Sequence, residues 1–421
     1  HPSIFNVLRA IQQGFYSEED RFLGLYGAYG YDLIFQFEAI KRRKPRPAHH
    51  KDLHLYLPDE LFAVDHRSGR AYRLAYEFSF GRTTTEGIER EGSGTPSSLE
   101  RRDPGAIPPY RKGSYAELVR QALPAFSQGD LFEVVPSQVL YETCDRPPSR
   151  IFRRLSRMNP SPYGFLIHLG DQHLIGASPE MYVRVQGRRV ETSPISGTIK
   201  RGQNAMEDAE NVRRLLNSAK DEAELTMCTD VDRNDKSRIC VPGSVRVIGR
   251  RQIERYARLF HTVDHIVGEL APGYDALDAF MTHMWAVTVT GAPKLEAMRW
   301  LEAHEATPRE WYGGAVGCLY FNGDMNTGLT LRTIKLAGGV AEMRVGATLL
   351  HASDPEAEEE ETLVKVSALV QALKSDGRAA DTRQNADRPG QGKRVLLIDH
   401  EDSFVHTLAN YLKQTGAAVV T

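Results

Sequence analysis

Two dipeptides, Asn322-Gly323 and Gly338-Gly339, constrain the architecture of this chain most tightly. Each lies between short apolar, β-prone runs at 315–321, 329–336 and 341–345. Such pairs supply the positive φ that two-residue hairpin loops demand. Hairpins join antiparallel neighbours, which argues against a Rossmann-type parallel sheet. The expected fold class is therefore α+β, with layered antiparallel sheets and outer helices.

Further strands read at 131–140, 173–175, 181–185 and 244–248. Helical spacing of apolar residues marks 115–126, 151–158, 208–217, 223–228, 276–284, 294–302 and 358–373. Residues 20–80 alternate aromatic-rich and polar segments and read as strands and turns. Gly24, Gly27 and Gly30 lack both the spacing and the preceding aliphatic strand of a dinucleotide site, so they read as packing glycines.

Four regions follow from these patterns. Residues 1–110 read as the remainder of an N-terminal β-rich subdomain, ending in a Gly/Ser/Pro-rich connection over 81–110. Residues 111–373 form the main α+β domain. Residues 374–393 contain no large apolar residue and read as a linker. Residues 394–421 open with a buried-type strand, continue as a helix over 405–414 and begin a second strand, the start of an α/β domain.

The chain has 421 residues and a formal charge of -2, from 53 basic and 55 acidic side chains. That balance argues against nucleic-acid binding, which needs a clustered basic excess. No apolar run approaches the ~20 residues that span a bilayer. Cys144, Cys228, Cys240 and Cys318 show no C-x-x-C spacing and read as free thiols of a cytoplasmic protein. With His1 first and no initiator Met, the chain reads as an internal or processed piece.

Three stretches carry the chemistry. Glu191 precedes the turn Ser193-Pro194-Ile195-Ser196-Gly197-Thr198, which is rich in hydroxyls and backbone N–H groups. Lys220-Asp221-Glu222-Ala223-Glu224 places two acids three apart on a helix, where both can face one side. Asp354-Pro355 opens another helix that carries Glu358, Glu361 and Lys365. One such acidic run is usually a solvated helix start, favoured by the helix dipole. Two on separate segments suggest carboxylates around a hard cation such as Mg²⁺, which takes oxygen ligands. His261, in His261-Thr-Val-Asp-His265, also fits an H-x-x-D-H zinc helix, but such sites use Glu and a third ligand.

The order and spacing of these stretches over residues 20–372 resemble the chorismate-utilising enzymes. The K-E-x-x-E segment is Lys220 to Glu224, followed by Arg233-Asn234-Asp235, with Asp221 where the family usually has Glu. The resemblance implies Mg²⁺ held by Glu224 and Glu361, with Glu358 on the same helix. It makes His261 the histidine beside the substrate ring. Thr288, in a G-T-x-S/T-G-A-P-K-like turn with Val287 replacing Gly, is expected at a substrate carboxylate, as are Tyr312 and Arg332. Thr198 and the Gly346 turn, where Thr348 replaces a second Gly, complete the substrate-binding set. Glu191, His261, Asp221 and Lys365 form the expected catalytic set, with Asp221 or Glu222 as general acid.

Within the family, Glu133 stands where water-activating enzymes carry Lys, and Ser196 stands where aminodeoxychorismate synthases often carry a nucleophilic Lys. Direct attack of ammonia on C2 of chorismate remains, giving anthranilate; the alternatives are aminodeoxyisochorismate as the product, or a catalytically silent fragment acting only as a binding module. The segment Val395 to Phe404 resembles the start of a class I glutamine amidotransferase, so chorismate and amidotransferase-derived ammonia are the expected partners, and a homodimer is compatible. Asn159-Pro-Ser-Pro-Tyr163 matches half of the family's tryptophan pocket, but no L-L-E-S-type strand precedes it, so weak feedback is expected.

Overall fold

The computed structural model describes residues 3–47, 50–66, 68–89, 107–256, 259–374, 391–396, 412–413 and 417–420. The chain divides into two compact units, 1–373 and 374–421.

Among the described residues, two large antiparallel sheets and three two-stranded ones build the first unit. The larger has nine strands. Arg246–Arg255 pairs with Leu259–Glu269, which pairs in turn with both Arg189–Thr192 and Ile195–Lys200. The sheet continues through Met181–Gln186, Met325–Leu329, Ala315–Tyr320, Gly24–Tyr29 and Leu53–Tyr56. The smaller runs Ser137–Thr143, Val340–Gly346, Thr333–Ala337, Gln172–Ser178 and Tyr163–His168. The Gly338-Gly339 hairpin forms as expected: both glycines have positive φ, 55° and 77°, and Ala337 pairs with Val340. Gly24–Tyr29 pairs with Ala315–Tyr320, so the region expected as an N-terminal subdomain shares the large sheet.

Among the described residues eight helices cover the sheets: α1 (Ile4–Gly14), α2 (Ser114–Gln128), α3 (Pro148–Met158), α4 (Ala205–Leu216), α5 (Ala219–Ser237), α6 (Ala276–Thr282), α7 (Lys294–His304) and α8 (Pro355–Lys374). Their ends follow local chemistry. Asn204 caps α4 through the N–H groups of Met206 and Glu207. Ser218 caps α5 through Asp221, and Asp275 and Asp278 form a reciprocal capping box on α6. Gly129 ends α2 in the left-handed region.

The outer face of the large sheet packs Phe5 and Leu8 of α1 and Phe280 of α6 around Trp285. The small sheet packs Ile151 and Leu155 of α3 and Val366 and Leu369 of α8. Between the sheets lie Ala28, Leu174, Trp311 and Val316. Fully burying each such large apolar side chain contributes about 1.5–3 kcal/mol.

Several expectations are corrected. The strand at 131–140 breaks at Pro136 into Glu133–Val134 and Ser137–Thr143, because proline cannot donate to a ladder. The run at 329–336 also breaks, at Arg332, whose φ is 48°. The zinc-helix alternative for 261–265 fails because Leu259–Glu269 is a strand. Helix α1 carries no turn signal that had marked it.

In the second unit, Arg394–Leu396 pairs in parallel with Ala418–Val420. Most of the expected linker and the expected helix at 405–414 lie outside the described residues, as does 90–106 of the expected connection.

Candidate active site

One cavity of 770 Å³ opens where the two sheets meet α5 and α8. It is bounded by Thr198, Asp221, Glu224, His261, Thr288, Tyr312, Arg332, Gly346, Glu361 and Lys365, ten of the twelve side chains expected at the site. They come from eight separate segments, so only tertiary packing brings them together.

One wall is acidic. Helix α5 turns Asp221 and Glu224 inward, three residues apart on one face. Helix α8 presents Glu361 and, one turn on, Lys365, which are paired at 2.7 Å. Lys365 also donates to the Gly346 carbonyl at 3.1 Å. Burial pushes the Glu224 carboxyl up to about 7. Beside it, Glu133 is fully buried, with neither carboxylate oxygen partnered among the described residues. Burial, then the charge of Glu224, pushes Glu133 well above the carboxylate range.

The other wall binds anions. Arg332 lines the cavity from the break in its strand, and no hydrogen bond or ion pair occupies its guanidinium among the described residues. A left-handed φ on a residue with a side chain costs roughly 1–2 kcal/mol, and such strain collects at functional sites. Gly346 lies under the Tyr312 hydroxyl, and a Cβ there would overlap the Pro136 carbonyl. His261 Nδ1 shares a 2.8 Å hydrogen bond with the Thr198 hydroxyl. Burial, then the Arg332 charge, drives the imidazole down to about 3, so it is neutral at physiological pH.

Two expected residues are not in this set. Glu191 accepts from Arg184 Nε at 2.7 Å and from Arg189, and does not border the cavity. Burial opposes its charge, but the two guanidinium groups outweigh it and hold the carboxyl below its ordinary range. It lies on Arg189–Thr192, ahead of the segment Ile195–Lys200 that reaches the cavity. Its reading as a ring-orienting catalytic group is withdrawn. Glu358 accepts from Lys220 Nζ at 2.9 Å and Ser353 Oγ at 2.7 Å, and it too lies off the cavity. Both contacts fall on Oε1; Oε2 is buried without a partner among the described residues, so one carboxylate oxygen is left for a cation and the place of Glu358 as a metal ligand stays a proposal. Glu222, the alternative acid, pairs instead with Arg251 at 3.2 Å.

Glu180 was missed. It is 4% exposed and borders the cavity. Its Oε1 accepts from Thr288 Oγ1 at 2.7 Å, which spends the proton that Thr288 was expected to offer a substrate. Burial raises its carboxyl to about 8, against the opposing Thr288 bond. The available signal was Ser178-Pro179-Glu180, an acid at the turn joining strand candidates that pair into different sheets.

Among the described residues no group of three or more His, Cys, Asp or Glu is gathered as a metal cage. A magnesium site needs less: one or two carboxylates, with water and an anionic ligand filling an octahedron. Glu224 and Glu361 supply two such oxygens, and the partnerless Glu133 marks a region short of positive charge. These residues fit a hard divalent cation.

The family model described as chorismate binding enzyme matches residues 3–371. The chain is 57% identical over 422 aligned positions to the anthranilate synthase of Azospirillum brasilense, covering 100% of this chain and 58% of that protein's length. It is 34% identical over 366 positions to anthranilate synthase component 1 of Aquifex aeolicus, covering 83% of this chain and 74% of that one. The crystal structure of anthranilate synthase component I from Streptococcus pneumoniae superposes with a TM-score of 0.73 at 28% identity, covering 86% of this chain and 85% of that one. The chain belongs to the chorismate-binding enzyme family, and its fold is that of the family: curled antiparallel sheets with helices outside.

Proposed function

We propose that this chain aminates chorismate and eliminates pyruvate to give anthranilate, with Mg²⁺ held by Glu224 and Glu361. The observation that carries this reading is the opposition of charges in one cavity. Carboxylates for a cation stand on one side, and an unpaired guanidinium stands on the other. Chorismate is a dianion and needs both. The relatives named above, at 57% and 34% identity, support the choice of product.

The ion, when bound, neutralises the ring carboxylate. Arg332, with the Tyr312 hydroxyl, binds the enolpyruvyl carboxylate through a planar fork. Neutral His261, braced by Thr198, faces the ring without adding charge. Glu180, protonated at neutral pH, is the general acid. Ammonia forms the C2–N bond, both ring double bonds shift towards C4, the C4–O bond breaks, and the 4-hydroxyl takes the Glu180 proton and leaves as water. The resulting carboxylate then accepts the C2 proton as the C3–O bond to the enolpyruvyl group breaks; the departing enolpyruvate takes the extra proton of the C2 ammonium, giving pyruvate and the neutral aromatic amine. Asp221 and Lys365 hold the acidic wall in place.

The ammonia is proposed to come from a glutamine amidotransferase domain beginning near residue 394. The parallel pairing of Arg394–Leu396 with Ala418–Val420 supports an α/β opening there. Incubation with chorismate, ammonium and Mg²⁺, followed by fluorescence and mass analysis, tests the reading. Anthranilate supports it; accumulation of aminodeoxyisochorismate without pyruvate release overturns it.

A further inference from the structure

Behind Glu180 lies a second, small chamber of about 20 Å³. Glu180 and Thr288 form its front wall and also face the main cavity. Its back wall is Thr192, Asp232, Asp235 and His283. The volume suits one water, and polar groups stand on both sides.

The back wall is a fully buried ionic network. Lys236 is 0% exposed. Its ammonium donates to Asp232 Oδ2 at 2.8 Å, to Thr192, and to His283 Nε2 at 3.3 Å, so its three protons are all used. His283 Nδ1 lies 2.8 Å from the Ala279 carbonyl and must donate to it, which leaves Nε2 as an acceptor. Thr192 also donates to the Asp232 carboxylate. Alongside, Asp235 pairs with Lys294 at 2.5 Å. An isolated ammonium in this position would cost several kcal/mol, so Asp232 and Lys236 fix each other.

We propose that Asp232 is a positioning residue for the reaction: clamped by Lys236 and Thr192, it acts across the water-sized chamber to keep Glu180 a proton donor. The inference rests on the reading of Glu180 as general acid given above. Asp232 is the anion whose charge raises the Glu180 carboxyl, after burial. The other groups facing this region are Cys228 and Asp235 from α5, Thr288, His283, and Tyr256 beside Pro179. His261 and Arg332 share the cavity in front.

The test is the pH profile of kcat for anthranilate formation. Asp232→Asn should lower the alkaline limb by about one pH unit, because a nearby negative charge favours the protonated acid. Asp232→Glu should restore the native limb. Because Asp232→Asn strands a buried ammonium, the double variant Asp232→Asn/Lys236→Met is measured beside it and should keep the lowered limb. A purely structural role would reduce kcat at every pH and leave the limb in place, and that result overturns the proposal. Glu180→Gln separates the two levels. If it retains native kcat, the general-acid reading itself fails. If it abolishes turnover while the double variant keeps the native limb, only the role of Asp232 fails.

Discussion

The Thr288 hydroxyl donates to Glu180 Oε1 at 2.7 Å, joining the turn between the two sheets to the turn before α7. This bond is made to a carboxyl whose acid form is favoured up to about pH 8. The unfolded carboxyl ionises near 4.5. Between those values the unfolded chain releases a proton that the folded one keeps, so stability falls as pH rises, at up to about 1.4 kcal/mol per unit. Glu180→Gln should therefore be more heat-stable than the native chain at pH 8–9, with the gain vanishing near pH 4. Thermal unfolding across that range checks it; a constant difference at all pH values would remove Glu180 from the titration.

Arg332 sits at a φ of 48°. Glycine adopts that backbone without penalty. Arg332→Gly should retain or gain up to ~1 kcal/mol of stability while KM for chorismate rises steeply. Arg332→Lys keeps the strain and loses the fork, so it should weaken chorismate binding by about 1.5–3 kcal/mol. Urea denaturation and steady-state kinetics on both variants settle the point. A destabilised glycine variant would mean that the side chain, not the substrate, maintains the turn.

Glu224→Gln and Glu361→Gln each remove one charged oxygen from the acidic wall. Both should lower Mg²⁺ affinity at least tenfold, about 1.4 kcal/mol, and chelation should abolish native turnover. Calorimetric titration with Mg²⁺ measures this without reference to the reaction. Native affinity in both variants would return these acids to the status of solvated helix faces.

Glu305 and Arg309 form an ion pair with both side chains 2% exposed. Arg309 also donates to the carbonyls of Val289 and Val135, both at 2.6 Å, and both residues border the cavity. Arg309→Met should destabilise by about 3–5 kcal/mol, since the buried carboxylate is left uncompensated. Replacing both partners by apolar residues should recover much of that loss. Equal losses in the single and double variants would show that packing, not charge, is what the pair contributes.

The antiparallel pairing read from the hairpin dipeptides is present at both sites, with both glycines of Gly338-Gly339 at positive φ, whereas at Asn322-Gly323 only the glycine is and residues 321–324 join the strands. Periodicity located α2 to α4 and α6 to α8 to within a few residues of their ends, but it marked only 223–228 of α5, which runs Ala219–Ser237. Ten of the twelve expected residues line one cavity: the spacing of Asp221, Glu224, Glu361 and Lys365 on helices encodes which face they share, while the other six were expected from the resemblance to chorismate-utilising enzymes. Local spacing could not say where that face points. Glu358 has the same helix and the same chemistry as Glu361, yet it lies off the cavity with its Oε1 bonded to Lys220 and Ser353. Glu191 looked exposed to chemistry until the strand pairing set Arg184 and Arg189 around it. Glu180 gave almost no local signal, because its burial and raised proton affinity are made by segments as distant as Thr288 and Asp232. Periodicity and turn chemistry are properties of neighbours in sequence and were determined there. Burial, charge pairing and proton affinity are properties of neighbours in space, and only the tertiary structure decided them.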